Sequence, residues 1–155
     1  CCPSPFDSYL MTLGLETLSL RVRHEVESAR RLAEYCRNHP KVERVSFVGF
    51  ESHPSYANAK KYFRFGSSAV FTIELKGTLD STVRFVESLN LAAHMVMIGD
   101  SVTVVTHPAS TTHKQLSDAD LAAAGVTPTM LRISVGLENT DDLIDDFEQA
   151  FAHIG

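Results

Sequence analysis

Cysteine is scarce in this 155-residue chain: Cys1, Cys2 and Cys36 are the only three. Two are adjacent and the count is odd, so no disulfide framework is specified, and a reducing, cytoplasmic setting is expected. Long apolar runs are lacking as well. None approaches the roughly 20 residues of a membrane-spanning helix, and no secretory signal is visible. Positive charge is also limited: 14 Lys and Arg stand against 19 Asp and Glu, for a net charge of −5. With no basic stripe on any face, nucleic acid is not an expected partner, because phosphate binding needs that footprint. The glycines form no phosphate cradle; Gly66-Ser67 and Gly99-Asp100 read as isolated turns. Repeats and low-complexity linkers are absent too.

What remains is an ordinary globular composition, 44% hydrophobic and 21% charged, long enough for one domain with a sizeable core. Residues 7–38 read as a long helix or a bent pair, with Gly14 as the expected bend. Leu18, Val22, Val26, Ala29 and Ala33 recur at helical spacing on one face. A strand is expected over Val42–Phe50 and a short helix over Pro54–Tyr62, with Ser52 or His53 near its cap. A second strand follows over Ala69–Leu75. Thr78 or Asp80 caps a helix reaching Leu89, carried by Val83, Val86 and Leu89. Short apolar runs follow at Ala92–Ile98 and Val102–Thr106. Ser117 with Asp120 opens a brief helix that Gly125 stops. Met130–Leu137 is a strand with Met130, Arg132 and Ser134 on one face. Thr140 is expected to cap a last helix striped by Leu143, Ile144, Phe147, Ala150, Phe151 and Ile154. Alternating strands and helices give one α/β or α+β layer domain.

Two stretches suggest chemistry. In TVVTHPASTTH, His107 and His113 flank three hydroxyl residues. Their spacing does not place both on one helix face, Pro108 would disrupt a helix interior, and zinc would need further ligands. His53, His94 and the cysteines are available but form no ligand-spaced cluster. A Ser110–His107 or Ser110–His113 nucleophile pair would need an orienting carboxylate and an oxyanion hole. The plainer alternative is a stiffened corner whose hydroxyls satisfy the backbone locally. Arg132 stands inside the apolar strand MLRISV, where an unpaired guanidinium would be costly. It either faces solvent, pairs with one of the acidic residues, or grips an anionic ligand through its planar fork. Lys60-Lys61 suits a solvated helix face better than a Schiff-base site.

Taken together, SPFDSYLMTLGLETLSLRV, HPASTTHKQL and LRISVGLENTDDLIDDFEQAF resemble the C-terminal domain of the Cys/Met-metabolism enzymes that depend on pyridoxal 5′-phosphate (PLP). The resemblance covers essentially all of residues 1–155 in the right order. GLETLSLRV, the STTHKQL ending and AGVTP are most similar to the O-acetylhomoserine sulfhydrylase branch; methionine γ-lyase and cystathionine γ-synthase are the near alternatives. The family implies the C-terminal domain of a fold-type I enzyme, with a small, largely antiparallel mixed sheet covered by helices. It further implies a homotetramer and an N-terminal domain, not included here, that binds PLP through the Schiff-base lysine. On this resemblance, residues 1–155, which open Cys-Cys-Pro, are a piece of a longer chain, inactive alone and free of catalytic, cofactor-binding or metal-binding residues. Arg132 is the implied clamp for the α-carboxylate of a small amino-acid substrate. At Met97 the lyase and synthase branches carry a helpful serine, so a side-chain contribution is lost; Met97 and Gly99 are expected to help through the backbone. The implied reaction is β- or γ-replacement at an activated homoserine. A non-catalytic amino-acid-binding or interaction module is the alternative of another class.

Overall fold

The computed structural model describes residues 2–154, apart from the Asp118 side chain, so Cys1 lies outside the described residues. Helix α1 (Pro5–Glu16) starts at a capping box: Ser4 Oγ accepts the Asp7 N–H at 3.1 Å while the Asp7 carboxylate accepts the Ser4 N–H at 3.3 Å. These contacts satisfy amides that a helix start leaves open. Helix α2 (Leu18–Asn38) follows after a break at Thr17, not at Gly14. Arg21 ties the joint together, its Nη2 donating to the Gly14 carbonyl at 3.0 Å and its Nη1 to Thr17 Oγ1. Of the face expected to be buried, Leu18 and Val22 remain 41% exposed. Burial starts only at Glu25 and continues through Ser28, Ala29, Leu32, Ala33 and Cys36. Leu18 and Val22 both lie outside the buried core cluster: α1, which packs against α2, buries no residue of its own, and Val22 borders an open groove shared with residues 62–67.

Strand β1 (Val42–Ser46) ends four residues earlier than the pattern suggested, because the chain turns to drive Phe47 and Phe50 inward against Phe71. Helix α3 (Tyr56–Tyr62) begins after Ser55, whose N–H is accepted by His53 Nδ1 at 3.1 Å. Strand β2 (Val70–Leu75) alternates half-buried and buried residues. Helix α4 (Leu79–Glu87) is capped by Thr78 and buries Phe85 and Val86, leaving Val83 at the margin. Strands β3 (Ala93–His94) and β4 (Val104–Thr106) occupy only parts of their apolar runs. A 3-10 turn at Pro108–Ser110, α5 (Asp118–Ala123), β5 (Met130–Ser134) and α6 (Thr140–Ala152) complete the chain. The α6 cap is Asn139 rather than Thr140: Asn139 Oδ1 accepts the Asp141 N–H at 2.9 Å, and Thr140 instead donates to Ser28 Oγ.

The sheet order is β1-β2-β5-β4-β3. Neighbours are antiparallel except β3, which runs parallel to β4. One sheet face carries Phe71, Ile73, Val105, Leu131 and Ile133 into a core shared with α2, α4 and α6. Phe147 and Phe85 meet edge-on there at 5.6 Å, and both are fully buried. The expected two-layer arrangement, a small and mostly antiparallel sheet covered by helices, is therefore what the chain forms. Side chains alternate across a sheet, so Thr72, Arg132 and Thr106, paired across three strands, share the opposite face. A parallel pair cannot be joined by a tight hairpin. Residues 95–103 must therefore travel back between β3 and β4, and they do so across that polar face.

Candidate functional site

Arg132 lies at the centre of the middle strand, half-buried between Thr72 and Thr106. Its Nη2 donates to Thr106 Oγ1 at 3.3 Å and to the Met97 carbonyl at 3.4 Å. Both are long for N–H···O bonds, whose usual range ends near 3.2 Å. Its Nε is buried and has no partner. Among the described residues no carboxylate lies within 4.0 Å of the guanidinium, so the internal salt bridge is not formed. A buried donor left unpaired costs about 1–3 kcal/mol, and an arginine fork matches a carboxylate edge to edge. The arrangement is suited to receiving an anion.

The crossover supplies the surroundings. Thr106 Oγ1 donates to the Met95 carbonyl at 2.6 Å, which leaves its lone pairs for the guanidinium. The Gly99 N–H donates to Ser134 Oγ at 3.2 Å. Gly99 has φ +77°, the left-handed region that suits glycine. Thus Met97 contributes an acceptor carbonyl that holds Arg132, while its side chain is 46% exposed. The Gly99 amide is already engaged by Ser134. The sequence reading missed Thr106, although β-strand periodicity together with strand pairing would have found it.

TVVTHPASTTH is a corner. His107 is 1% exposed; its Nε2 lies 2.9 Å from the Pro128 carbonyl and must donate to it, which leaves Nδ1 to accept the Ser110 hydroxyl at 2.8 Å. The third partner is therefore a carbonyl, not a carboxylate, and the imidazole is closed to substrate. His113 turns the other way, toward Thr112 Oγ1. Among the described residues no three His, Cys, Asp or Glu side chains converge as metal ligands. Cys36 is fully buried, and burial pushes its thiol well above the usual range, so it packs rather than reacts. A cleft of about 280 Å³ between α2 and α3, lined by Arg23, Val26, Tyr56 and Phe63 among others, does not include Arg132.

Most of the lysines are engaged elsewhere. Lys41 Nζ donates to the Phe151 carbonyl at 2.7 Å and to that of Ile154; Lys76 donates to the Pro40 carbonyl at 2.8 Å. Lys60 and Lys61 lie over the rings of Tyr56 and Tyr62, and Lys114 is exposed. None is hydrogen-bonded to Arg132, Thr106 or Met97 among the described residues.

The geometry defines a two-layer α/β arrangement with a half-buried guanidinium, free of any carboxylate partner among the described residues, on the polar face of its sheet. Residues 1–152 match the Cys/Met metabolism PLP-dependent enzyme family, and the chain belongs to it. It is 46% identical over 147 residues to a homocysteine synthase of Schizosaccharomyces pombe, covering 95% of this chain and 34% of that protein. It is 43% identical over 148 residues to O-acetyl-L-homoserine sulfhydrylase 1 of Thermus thermophilus, covering 96% and 35%. Among solved structures, a Campylobacter jejuni protein described as an O-acetylhomoserine (thiol)-lyase superposes with a TM-score of 0.89 at 36% identity. That match covers 96% of this chain and 35% of the other, which carries N′-pyridoxyl-lysine-5′-monophosphate. The chain spans about a third of the length of these relatives.

Proposed function

We propose that this chain is the substrate-side, C-terminal domain (residues 1–155) of a PLP-dependent enzyme of the O-acetylhomoserine sulfhydrylase type, and that Arg132 grips the α-carboxylate of its amino-acid substrate. The observation that carries this reading is the unpartnered, buried Nε of Arg132 on a guanidinium with no carboxylate of its own. Thr106 and the Met97 carbonyl hold one terminal nitrogen from the crossover side. Nη1 donates to no group among the described residues and is the nitrogen left for the ligand.

PLP, bound by the preceding part of the longer polypeptide, supplies an electron sink for charge developing at Cα and Cβ, so that acetate leaves Cγ and sulfide or a thiol adds. This chain fixes the substrate's carboxylate and therefore its orientation. A displacement of ~1 Å at such a contact can cost about a hundredfold in rate. The exposed apolar side chains of α1 (Phe6, Tyr9, Leu10, Met11 and Leu15) support its packing against that preceding domain or a second subunit of a homotetramer. The free thiols of Cys2 and Cys36 suit a cytoplasmic setting.

The test is steady-state kinetics of the full-length, PLP-loaded enzyme with O-acetylhomoserine and sulfide. Arg132→Lys keeps the charge and loses the fork, so kcat/KM is expected to fall about a hundredfold or more. A near-normal kcat/KM would contradict the assignment.

A further inference from the structure

The crossover over Arg132 is fastened along one side by the strand that carries Arg132 itself. Every second residue from Arg132 onward engages it. Arg132 reaches the Met97 carbonyl at 3.4 Å, Ser134 Oγ accepts the Gly99 N–H at 3.2 Å, and the Gly136 N–H donates to Thr103 Oγ1 at 2.9 Å. The Glu138 carboxylate then accepts both the Thr103 N–H, at 2.6 Å, and the Thr103 hydroxyl, at 2.7 Å. Between them the Leu137 N–H donates to the Ser101 carbonyl at 2.8 Å. A Cβ on Gly136 would stand 2.4 Å from Ser101 O and 2.6 Å from Thr103 N. The close approach of residues 101–103 therefore depends on the missing side chain.

These contacts differ in strength. Those at the tip are long and neutral or shared. Glu138 is a bidentate, charge-assisted acceptor, and such bonds are roughly twice as strong as neutral ones. It grips the residue just before β4, where the crossover leaves the polar face. Thr103 also closes the loop at its base, its carbonyl accepting the Ala93 N–H at 2.8 Å.

We infer that Glu138 is a positioning residue for the carboxylate clamp: by fixing Thr103 it sets the height at which the crossover lays Met97 O and Gly99 over Arg132 and Ser134. The inference rests on Arg132 being that clamp. Glu138 touches no substrate. Without its grip the crossover shifts, the guanidinium loses its lateral support and the carboxylate is bound more weakly, in ground and transition states alike.

The experiment is the same steady-state assay with Glu138→Gln, run beside Arg132→Lys. An amide cannot accept both Thr103 donors. The KM for O-acetylhomoserine is expected to rise about tenfold with kcat within about twofold, and the KM for sulfide, which has no carboxylate, to stay unchanged. A role only in folding would lower the melting temperature without separating the two substrates. An unchanged O-acetylhomoserine KM in Glu138→Gln, with Arg132→Lys impaired, would overturn the inference and leave the clamp standing. Unchanged values in both variants would overturn the clamp as well. Should Glu138→Gln fail to fold, Ser134→Ala decides: the inference requires the same substrate-selective rise in KM, and no rise overturns it.

Discussion

Arg132 and Thr106 face each other directly across the β4–β5 ladder, and the guanidinium reaches the threonine oxygen at 3.3 Å. The hydroxyl is itself committed, donating to Met95 O at 2.6 Å. It can meet the arginine only with a lone pair, which fixes the direction of the fork. An unpaired positive side chain in the middle strand is thereby held ready instead of folding back onto the protein.

Thr106→Val should uncouple that support at nearly constant volume. The valine leaves the Met95 carbonyl without its donor and Nη2 without an acceptor. The O-acetylhomoserine KM of the full-length enzyme is expected to rise about tenfold, as for one lost hydrogen bond to a charged group. Serine at the same position should restore most of the loss, and failure of that rescue would argue against the hydroxyl's role.

Ser110→Ala should leave turnover intact. Ser110 only donates to His107 Nδ1, in a corner where His107 answers to the Pro128 carbonyl. A modest loss of stability of about 1 kcal/mol is expected, as for one internal hydrogen bond, measured by denaturant unfolding. A collapse of kcat with stability unchanged would revive a nucleophilic role for the serine.

Glu25 carries a pH signature. Burial raises its carboxyl above the ordinary value of 4.5, and Arg21 and His24 offset this only in part. A raised folded-state pKa means that the folded chain binds the proton more tightly than the unfolded one. The resulting stabilisation is complete below the unfolded value and is lost as pH rises through the folded one. Glu25→Gln is therefore expected to raise Tm relative to the parent at neutral pH, with the difference closing by about pH 4. A difference independent of pH would contradict the burial argument.

Strands and helices with strong periodicity were legible: β5, α4 and α6 fall where their apolar residues repeat. What sequence could not show was set by tertiary packing. Leu18 and Val22 keep the helical period but lie outside the buried core cluster, so period alone misjudges their burial. Phe47 and Phe50 looked like strand residues, yet a turn serves their rings better in the core. At the site, Arg132 was conspicuous because a charge interrupts an apolar strand. Thr106 and Glu138 were not, because their roles come from strand pairing and from a crossover whose path the sequence does not encode locally. The two histidines attracted notice for a residue type that here closes a corner.

Arg132 as the carboxylate clamp is tested most directly by equilibrium binding of an unreactive amino acid and of its α-carboxamide to the full-length, PLP-loaded enzyme, with and without Arg132→Lys. The parent protein is expected to prefer the acid by about a hundredfold, in keeping with a bidentate charge-assisted contact. In Arg132→Lys that preference should fall to about tenfold or less, with carboxamide binding little changed. An undiminished preference for the acid in the variant would place the carboxylate elsewhere and contradict the assignment.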